Sequence, residues 1–126
     1  MAGLDIRKYE ARAASTDIFG RVLCSVRNHH YVIDGPEPNG CPGEEVTPGE
    51  LFLSAVASCG VELVQVIAKS EGIPLRAVQV DIKGVMDRSN PVHSDVSLFN
   101  SVSLHFKMKG VSDNNGKLLV EKFKGR

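Results

Sequence analysis

A long apolar segment in the middle of the chain constrains the fold most. The sequence TPGE at residues 47–50 is typical of a helix start, with Thr at the N-cap, Pro at the first helical position and Glu completing a capping box. Gly72 and Pro74 follow, which predicts a helix to about Glu71, roughly 36 Å long. Its apolar residues cover nearly the whole circumference, and such a helix is buried on all sides. A chain of 126 residues cannot easily surround it alone. We therefore expect a central helix that a second subunit partly covers.

Segments on both sides of this helix predict strands. Residues 21–28 alternate between apolar and polar, and residues 31–33 extend or pair with them. Residues 78–83 and 102–109 each predict a half-buried strand with one solvated face, as in antiparallel sheets. Residues 34–43 contain three Gly and three Pro and predict an irregular loop. Ser112 is placed to cap a last helix. The order of elements predicts a single α+β domain over residues 1–126.

Composition excludes several classes of protein. The 15 Lys and Arg balance 15 Asp and Glu, which argues against a general nucleic-acid or membrane-surface partner. The uninterrupted apolar stretches are shorter than the roughly 18 residues of a spanning helix, and residues 1–10 do not resemble a signal peptide. Three cysteines without a close pair argue against a disulfide framework, so we expect a cytoplasmic protein. Neighbouring His29 and His30 would point to opposite faces of a strand, so we expect no metal site and no cofactor.

Cys59, half-way along the predicted helix, is the main candidate for chemistry. Gly60 follows it, and a Gly inside a helix costs about 1 kcal/mol relative to Ala. The helix therefore needs space there, for a neighbouring backbone or for a ligand beside the sulfur. The alternative is that Cys59 is a small packing residue, since free Cys is often buried. A thiolate would need a cation from elsewhere in the fold, because the helix N-terminus is about three turns away. Arg21 and Arg27 are the candidates.

Two glutamates flank Cys59 on the same helix. At about 100° per residue, Glu50 lies on the opposite face and would act at the site only indirectly, or in a partner subunit. Glu50 also has a structural role in the capping box. Glu62, one turn after Cys59, is on the same face, and its negative charge would oppose a thiolate.

Residues 32–70 resemble the OsmC/Ohr family (osmotically inducible protein C and organic hydroperoxide resistance proteins). The resemblance is carried by VIDGP at residues 32–36, by the glycine loop to Gly43, and by TPGELFLSAVASC at residues 47–59. The later segment IPL at residues 73–75, with the strands and helix after it, is similar too. The family implies antiparallel sheets wrapped around a long central helix in an intertwined homodimer, with two active sites at the subunit interface.

The same resemblance implies a thiol-dependent peroxidase of oxidative-stress defence. In the hydroperoxide-reducing branches a helical Cys, here matched by Cys59, attacks an organic hydroperoxide and becomes a sulfenic acid. An Arg from the early strands supports the thiolate, and Arg21 is the nearest match. A Glu of the helix start completes the family site, and Glu50 is the candidate. A second thiol then resolves the sulfenic acid, and a lipoyl group or small thiols return the protein to its reduced form.

The chain departs from the family pattern at two places. The family Glu directly follows the helix-start Pro, whereas Gly49 stands there and Glu50 comes one residue later. The family's resolving Cys follows the last helix, whereas this sequence ends at Arg126, so that it either lacks its C-terminal segment or has lost that thiol. Cys41, in a Cys-Pro sequence of the glycine loop, is a substitute candidate, and Cys24 is expected to be a packing residue.

Two functions of different classes therefore remain open on the sequence. The first is an OsmC-like peroxidase that reduces organic hydroperoxides through Cys59. The second is a non-enzymatic dimer of the same fold that binds a small hydrophobic ligand in its interface cleft, with Cys59 only lining the cleft. A fragment that folds only within a longer chain is a third option.

Overall fold

A computed structural model of the chain describes residues 5–94 and 99–125. The described elements, in chain order, are β1 (Arg12–Ser15), β2 (Arg21–Val26), β3 (His29–Asp34), a short 3-10 turn (Glu37–Asn39), α1 (Pro48–Ser70), β4 (Ala77–Val85), β5 (Ser101–Lys109) and α2 (Asp113–Lys124). This order confirms the predicted α+β class and the number of helices. The polar residues 87–95, with Pro91 among them, predict a turn between the last two strands. This segment ends on Asp95, which lies outside the described residues.

The chain divides into two compact units, residues 1–51 and 52–126. The first contains an antiparallel sheet in the order β1-β2-β3. A two-residue turn joins β2 to β3, and Arg27 adopts a left-handed conformation there, with φ of 52°. This tight turn sets a register in which Arg21 lies opposite Asp34 at the far end of the hairpin. The hairpin therefore brings together two charged residues that are 13 positions apart in the sequence.

The second unit packs two helices against a two-stranded antiparallel sheet of β4 and β5. Along both strands, partly buried residues alternate with exposed ones, as the sequence pattern predicted. The buried centre consists of Val64, Ile67 and Ala68 of α1 together with Leu119 of α2. Phe106 of β5 packs edge-on against Phe123 of α2, with ring centroids 5.4 Å apart. The strands and the two helices of this unit therefore share one apolar core.

Both ends of α1 are formed as the sequence predicted. At the start, the Glu50 Oε1 atom accepts hydrogen bonds from the Thr47 backbone N–H (3.0 Å) and hydroxyl (2.9 Å). The Thr47 hydroxyl oxygen in turn accepts from the Glu50 N–H at 3.4 Å, which completes the capping box. At the end, Gly72 has φ of 67°, and the Ile73 N–H bonds the Ala68 carbonyl. Likewise, the Ser112 hydroxyl caps α2 by accepting from the Asn115 N–H at 3.2 Å.

The burial of α1 differs from the expectation of a helix that is apolar all round. Within the described chain only four of its residues are buried: Gly60, Val64, Ile67 and Ala68. A polar stripe is exposed, made of Ser54, Ser58, Glu62, Gln65 and Lys69. Apolar side chains beside this stripe are exposed as well, among them Phe52 (53%) and Val66 (45%). The helix therefore has a polar face, and it presents apolar surface that the single chain does not cover.

Among the described residues, α1 also meets the length and hydropathy criteria of a membrane-spanning helix. The expectation that no apolar segment is long enough to span a membrane is therefore wrong. The criterion uses the mean hydropathy over 18 residues, which stays high despite the few polar residues of the helix. Only 22% of its most apolar window is buried in the single chain. The central helix of a soluble protein passes the same test, so the finding does not by itself indicate a membrane protein.

Gly60 and Gly84 each face an aromatic ring of the second unit, at different distances. Gly60 is buried and faces the Phe106 ring and the Val80 side chain, which an added Cβ would meet at 3.4 and 3.5 Å. Side chains of the sheet thus lie beside Gly60, and the expectation of a neighbouring backbone there is wrong. Gly84 of β4 lies under the Phe99 ring, which an added Cβ would approach to 2.8 Å.

Candidate functional site

Arg21, the predicted partner of the thiolate, is held by a carboxylate of the neighbouring strand. Its Nε and Nη2 atoms donate to the two carboxylate oxygens of Asp34, each at 2.8 Å. This parallel pair of bonds is the strongest arrangement between these two side chains, because both are charged and both are planar. The Asp34 hydrogen bond is the main reason that the pKa of Arg21 is raised above its usual value. Arg21 is therefore a permanent, fixed cation.

Asp34 is fully buried, with 0% of its surface exposed. Besides Arg21, it accepts hydrogen bonds from the backbone N–H groups of Glu44 (3.0 Å) and Glu45 (2.9 Å). The bond from Arg21 is the largest cause that lowers the pKa of Asp34 below its usual range, and the two backbone bonds act in the same direction. One carboxylate thus fixes both the guanidinium of Arg21 and the end of the glycine loop.

Glu44 makes a second, exposed contact with the same guanidinium. Its Oε1 atom accepts from Arg21 Nη2 at 3.0 Å. The Glu44 side chain is 74% exposed, in contrast to the buried Asp34. Arg21 therefore contacts two carboxylates of very different environment.

Neither carboxylate was predicted as a partner of Arg21, although the sequence contains a signal for Asp34. A two-residue turn at Arg27 and Asn28 would place residues 21 and 34 opposite each other, and opposite charges at such a pair favour each other. The partner of Arg21 could have been found by counting along this hairpin. Glu44 had no such signal, because it lies on an irregular loop whose path depends on hydrogen bonds to Asp34.

Arg27, the second candidate cation, lies at the opposite end of β2. It is exposed at the hairpin turn, about six residues or roughly 20 Å along the strand from Arg21. Of the two arginines, only Arg21 therefore takes part in the carboxylate cluster with Asp34 and Glu44.

Glu50 has the structural role that the capping box predicted. Its carboxylate accepts from Thr47, and the Thr47 backbone N–H is the largest cause that lowers the pKa of Glu50. The described contacts of Glu50 are thus those of a helix start.

Cys59 is exposed on α1 within the second unit. Its neighbour Gly60 is the residue that faces the sheet, so the thiol lies beside the buried face of the helix. Phe52 and Val66 are each seven residues away along the helix and therefore lie on nearly the same side as Cys59. Within the single described chain, Cys59 is therefore exposed and is not part of the buried core.

The two other cysteines have different surroundings. Cys24 is buried in β2, with 7% of its surface exposed, which confirms the expected packing role. Cys41 is partly buried in the glycine loop. Its sulfur lies against Gly20 and Gly35, so closely that a Cβ at either glycine would collide with it. The Cys41 sulfur therefore packs against Gly20, just before β2, and against Gly35 of the glycine loop.

The described residues contain no group of three or more His, Cys, Asp and Glu side chains that would hold a metal ion. His30 instead pairs with Ser25 across the hairpin, at 2.9 Å between Nδ1 and Oγ. In the second unit, a shallow groove with a cavity volume of about 380 Å³ lies between β5 and α2, and Phe106, Met108 and Val120 line it together with polar residues of α2. Cys59 does not line this groove.

Comparison with known families identifies the family of this chain. The sequence model of the OsmC-like protein family matches residues 41–124, about two thirds of the chain. The chain belongs to the OsmC-like family. The matched range contains Cys41 of the glycine loop, the capping box and Cys59 of α1. A search of curated proteins found no match.

Solved structures of OsmC-like proteins share the fold. An OsmC-like protein from Mycoplasma pneumoniae has a TM-score of 0.80 at 17% identity, with 98% of this chain and 84% of that chain covered. An organic hydroperoxide resistance protein from Legionella pneumophila has a TM-score of 0.75 at 19% identity, with 97% and 85% covered. Another from Elizabethkingia anophelis, with thiocyanate bound, has a TM-score of 0.76 at 19% identity, with 99% and 85% covered. At these identities the likeness establishes the shared fold.

Proposed function

We propose that this OsmC-like protein is a thiol-dependent peroxidase that reduces organic hydroperoxides through Cys59. The observation that carries the proposal is the exposure of Cys59 on α1, in a chain whose family includes organic hydroperoxide resistance proteins. An exposed thiol is accessible to a peroxide, whereas a packed one is not.

The first step of the proposed chemistry needs only the Cys59 thiolate and the peroxide. The Cys59 thiolate attacks the outer oxygen of the hydroperoxide, the O–O bond breaks, and the sulfur is oxidised to a sulfenic acid. The leaving alkoxide takes up a proton and departs as the alcohol. A thiol reductant then condenses with the sulfenic acid to a disulfide, with loss of water, and a second thiol restores Cys59. Cys41 is the candidate within the chain for the first of these thiols.

Arg21 is proposed as the cation that supports the Cys59 thiolate. Its guanidinium is charged at every relevant pH and is fixed by Asp34, so that it offers a positive charge without a change of protonation. Glu50 is proposed to act indirectly, through the start of the helix that carries Cys59.

A homodimer is proposed as the functional form. Apolar side chains on α1 are exposed in the single chain, among them Phe52 and Val66, and exposed apolar surface of this kind favours burial against a partner. The sheet of the first unit also exposes apolar surface that a partner could bury, because Leu23 and Val32 on one of its faces are about 40% exposed. We place this dimer in the cytoplasm, where thiol reductants keep cysteines reduced.

The experiment that tests this function compares Cys59→Ser with the unchanged protein. We expect the unchanged protein to consume cumene hydroperoxide in the presence of a dithiol, and the variant to lose this activity. Sulfenic-acid trapping with mass spectrometry should locate the modification at Cys59. Cys24→Ser is the matched control. Because Cys24 is buried, this substitution should leave the rate of hydroperoxide consumption unchanged.

Each contrary result has a definite meaning. Equal rates for Cys59→Ser and the parent would exclude Cys59 as the reacting group. An inert Cys59 in a well-folded protein would favour the non-enzymatic alternative, a dimer that binds a hydrophobic ligand.

A further inference from the structure

The guanidinium of Arg21 has two edges that can each bind a carboxylate with two hydrogen bonds. The side edge consists of Nε and Nη2, and the end edge consists of Nη1 and Nη2. Asp34 occupies the side edge completely, with two bonds of 2.8 Å. Glu44 occupies only half of the end edge, through Nη2 at 3.0 Å. Among the described residues nothing accepts a hydrogen bond from Nη1.

The two carboxylates also differ in how firmly they are held. Asp34 is fully buried and accepts bonds from Arg21 and from two backbone N–H groups. The Glu44 side chain is 74% exposed and makes a single described contact. The Glu44 backbone N–H, however, is bound to Asp34. The Glu44 side chain can therefore leave Arg21 while the loop that carries it stays in place.

We propose that the end edge of Arg21 is an exchangeable anion site, which Glu44 occupies in the free protein and which a small carboxylate ligand takes over. The ligand carboxylate forms two bonds, to Nη1 and Nη2, where Glu44 forms one. Asp34 remains on the side edge throughout and fixes the direction in which the end edge points. In the free protein, the Glu44 carboxylate thus occupies the position that the ligand carboxylate takes in the complex.

The charges of the cluster explain why Glu44 regulates this site. Arg21, Asp34 and Glu44 together carry a net charge of −1, which weakens the attraction of a further anion. When Glu44 is replaced by Gln, the charges of Arg21 and Asp34 balance, and the neutral amide oxygen competes less strongly than a carboxylate for Nη2. An exposed ion pair such as that of Glu44 is weak, so its loss should tighten carboxylate binding by about two- to sixfold.

The test is an acetate titration followed by NMR of the Arg21 Nε–H group, with sodium chloride at equal ionic strength as the reference. We expect acetate to shift this resonance in the parent protein and to do so at two- to sixfold lower concentration in Glu44→Gln. The matched control is Glu45→Gln, because the Glu45 side chain is exposed and its backbone N–H also binds Asp34. This control should keep the affinity of the parent.

The parent protein provides a second measurement that needs no substitution. Acetate must release Glu44, so the carboxyl carbon resonance of Glu44 should move with the same midpoint as Arg21 Nε–H. Equal affinities for Glu44→Gln and Glu45→Gln would overturn the proposal. So would acetate shifts no larger than those with chloride.

This inference concerns the first unit alone and goes beyond the proposed peroxidase. If Arg21 also supports the Cys59 thiolate, Glu44→Gln should oxidise faster with cumene hydroperoxide than the parent. Acetate binding with an unchanged oxidation rate would count against the role of Arg21 in the reaction and would leave the anion site intact.

Discussion

Asp34 is a fully buried carboxylate on which two parts of the first unit depend. It holds the Arg21 guanidinium with two bonds and the glycine loop with two more. A buried charge that loses its partners is strongly destabilising, because it is left without water and without compensation. Removal of its charge should therefore loosen both the hairpin end and the loop.

We predict that Asp34→Asn lowers the melting temperature at pH 7. We also predict that the melting temperature of the variant falls less steeply than that of the parent as the pH is lowered. The pKa of Asp34 is lower in the folded protein than the value of about 3.9 in an unfolded chain. Its contribution to stability is thus fully present above that value and is lost as the pH falls below it. The difference in melting temperature between parent and variant should narrow from pH 6 to pH 3.

The matched control for this substitution is Asp17→Asn in the exposed turn between β1 and β2. It should follow the parent at every pH, since its carboxylate accepts no described hydrogen bond. An Asp34→Asn variant that tracks the parent from pH 3 to pH 7 would contradict the role assigned to the buried carboxylate.

Substitution of Gly by Ala should have opposite effects on stability at two positions of the second unit. Gly60→Ala should stabilise the protein by up to about 1 kcal/mol, because Ala is a better helix former and the new Cβ meets Phe106 at 3.4 Å, an ordinary contact. Gly84→Ala should destabilise it by about 1–3 kcal/mol, because its Cβ would lie 2.8 Å from the Phe99 ring. Urea unfolding of both variants measures the difference, and a change of equal sign in the two would contradict it.

Among single residues, those defined by a local pattern could be predicted from the sequence. The capping pair Thr47 and Glu50 and the packing role of Cys24 follow from spacing of a few positions, and the structure confirms them. The Arg21 contacts to Asp34 and Glu44 span 13 and 23 positions. Such contacts depend on strand register and on the path of a loop, which composition and periodicity do not define.

At the level of elements, α1 was the most predictable because its signals are local and mutually consistent. Its start, its end and its length agree with the sequence analysis, and so do β4, β5 and the cap of α2. The burial of α1 differs from the expectation of a helix that is apolar all round. The expectation rested on the number of apolar residues and did not take into account the helical spacing of Ser54, Ser58, Glu62 and Gln65. These residues form a solvated stripe on a helix that is otherwise apolar.

The capping box of α1 leads to a prediction about the start of the helix. Thr47→Ala removes the hydroxyl that both accepts from the Glu50 N–H and donates to the Glu50 carboxylate. We expect a loss of about 1 kcal/mol in the free energy of unfolding. Urea unfolding monitored by circular dichroism measures it, with Thr47→Ser as the control that keeps the hydroxyl. A Ser variant as unstable as the Ala variant would show that the cap is not responsible.

At the level of the whole molecule, the exposed apolar surface of α1 predicts an assembly. A single chain has a mass of 13.6 kDa, and we expect light scattering after size exclusion to give about twice that value. Phe52→Asp places a charge on the exposed apolar side of α1 and should shift the protein toward monomer. Ser103→Asp, on the exposed face of β5, should leave the mass unchanged. A parent protein that runs as a monomer would contradict the proposed homodimer.

The Cys41 sulfur lies against Gly20 and Gly35, and this contact has a consequence for sequence variation. The three positions share one small volume, so that a larger side chain at any of them needs a smaller one at another. Gly20 is further restricted by its φ of 81°. In related sequences, residues 35 and 41 should therefore vary together, with glycine at position 35 wherever position 41 carries a side chain as large as Cys. Position 20 should stay glycine in every case, which makes it the fixed reference against which such paired changes are recognised.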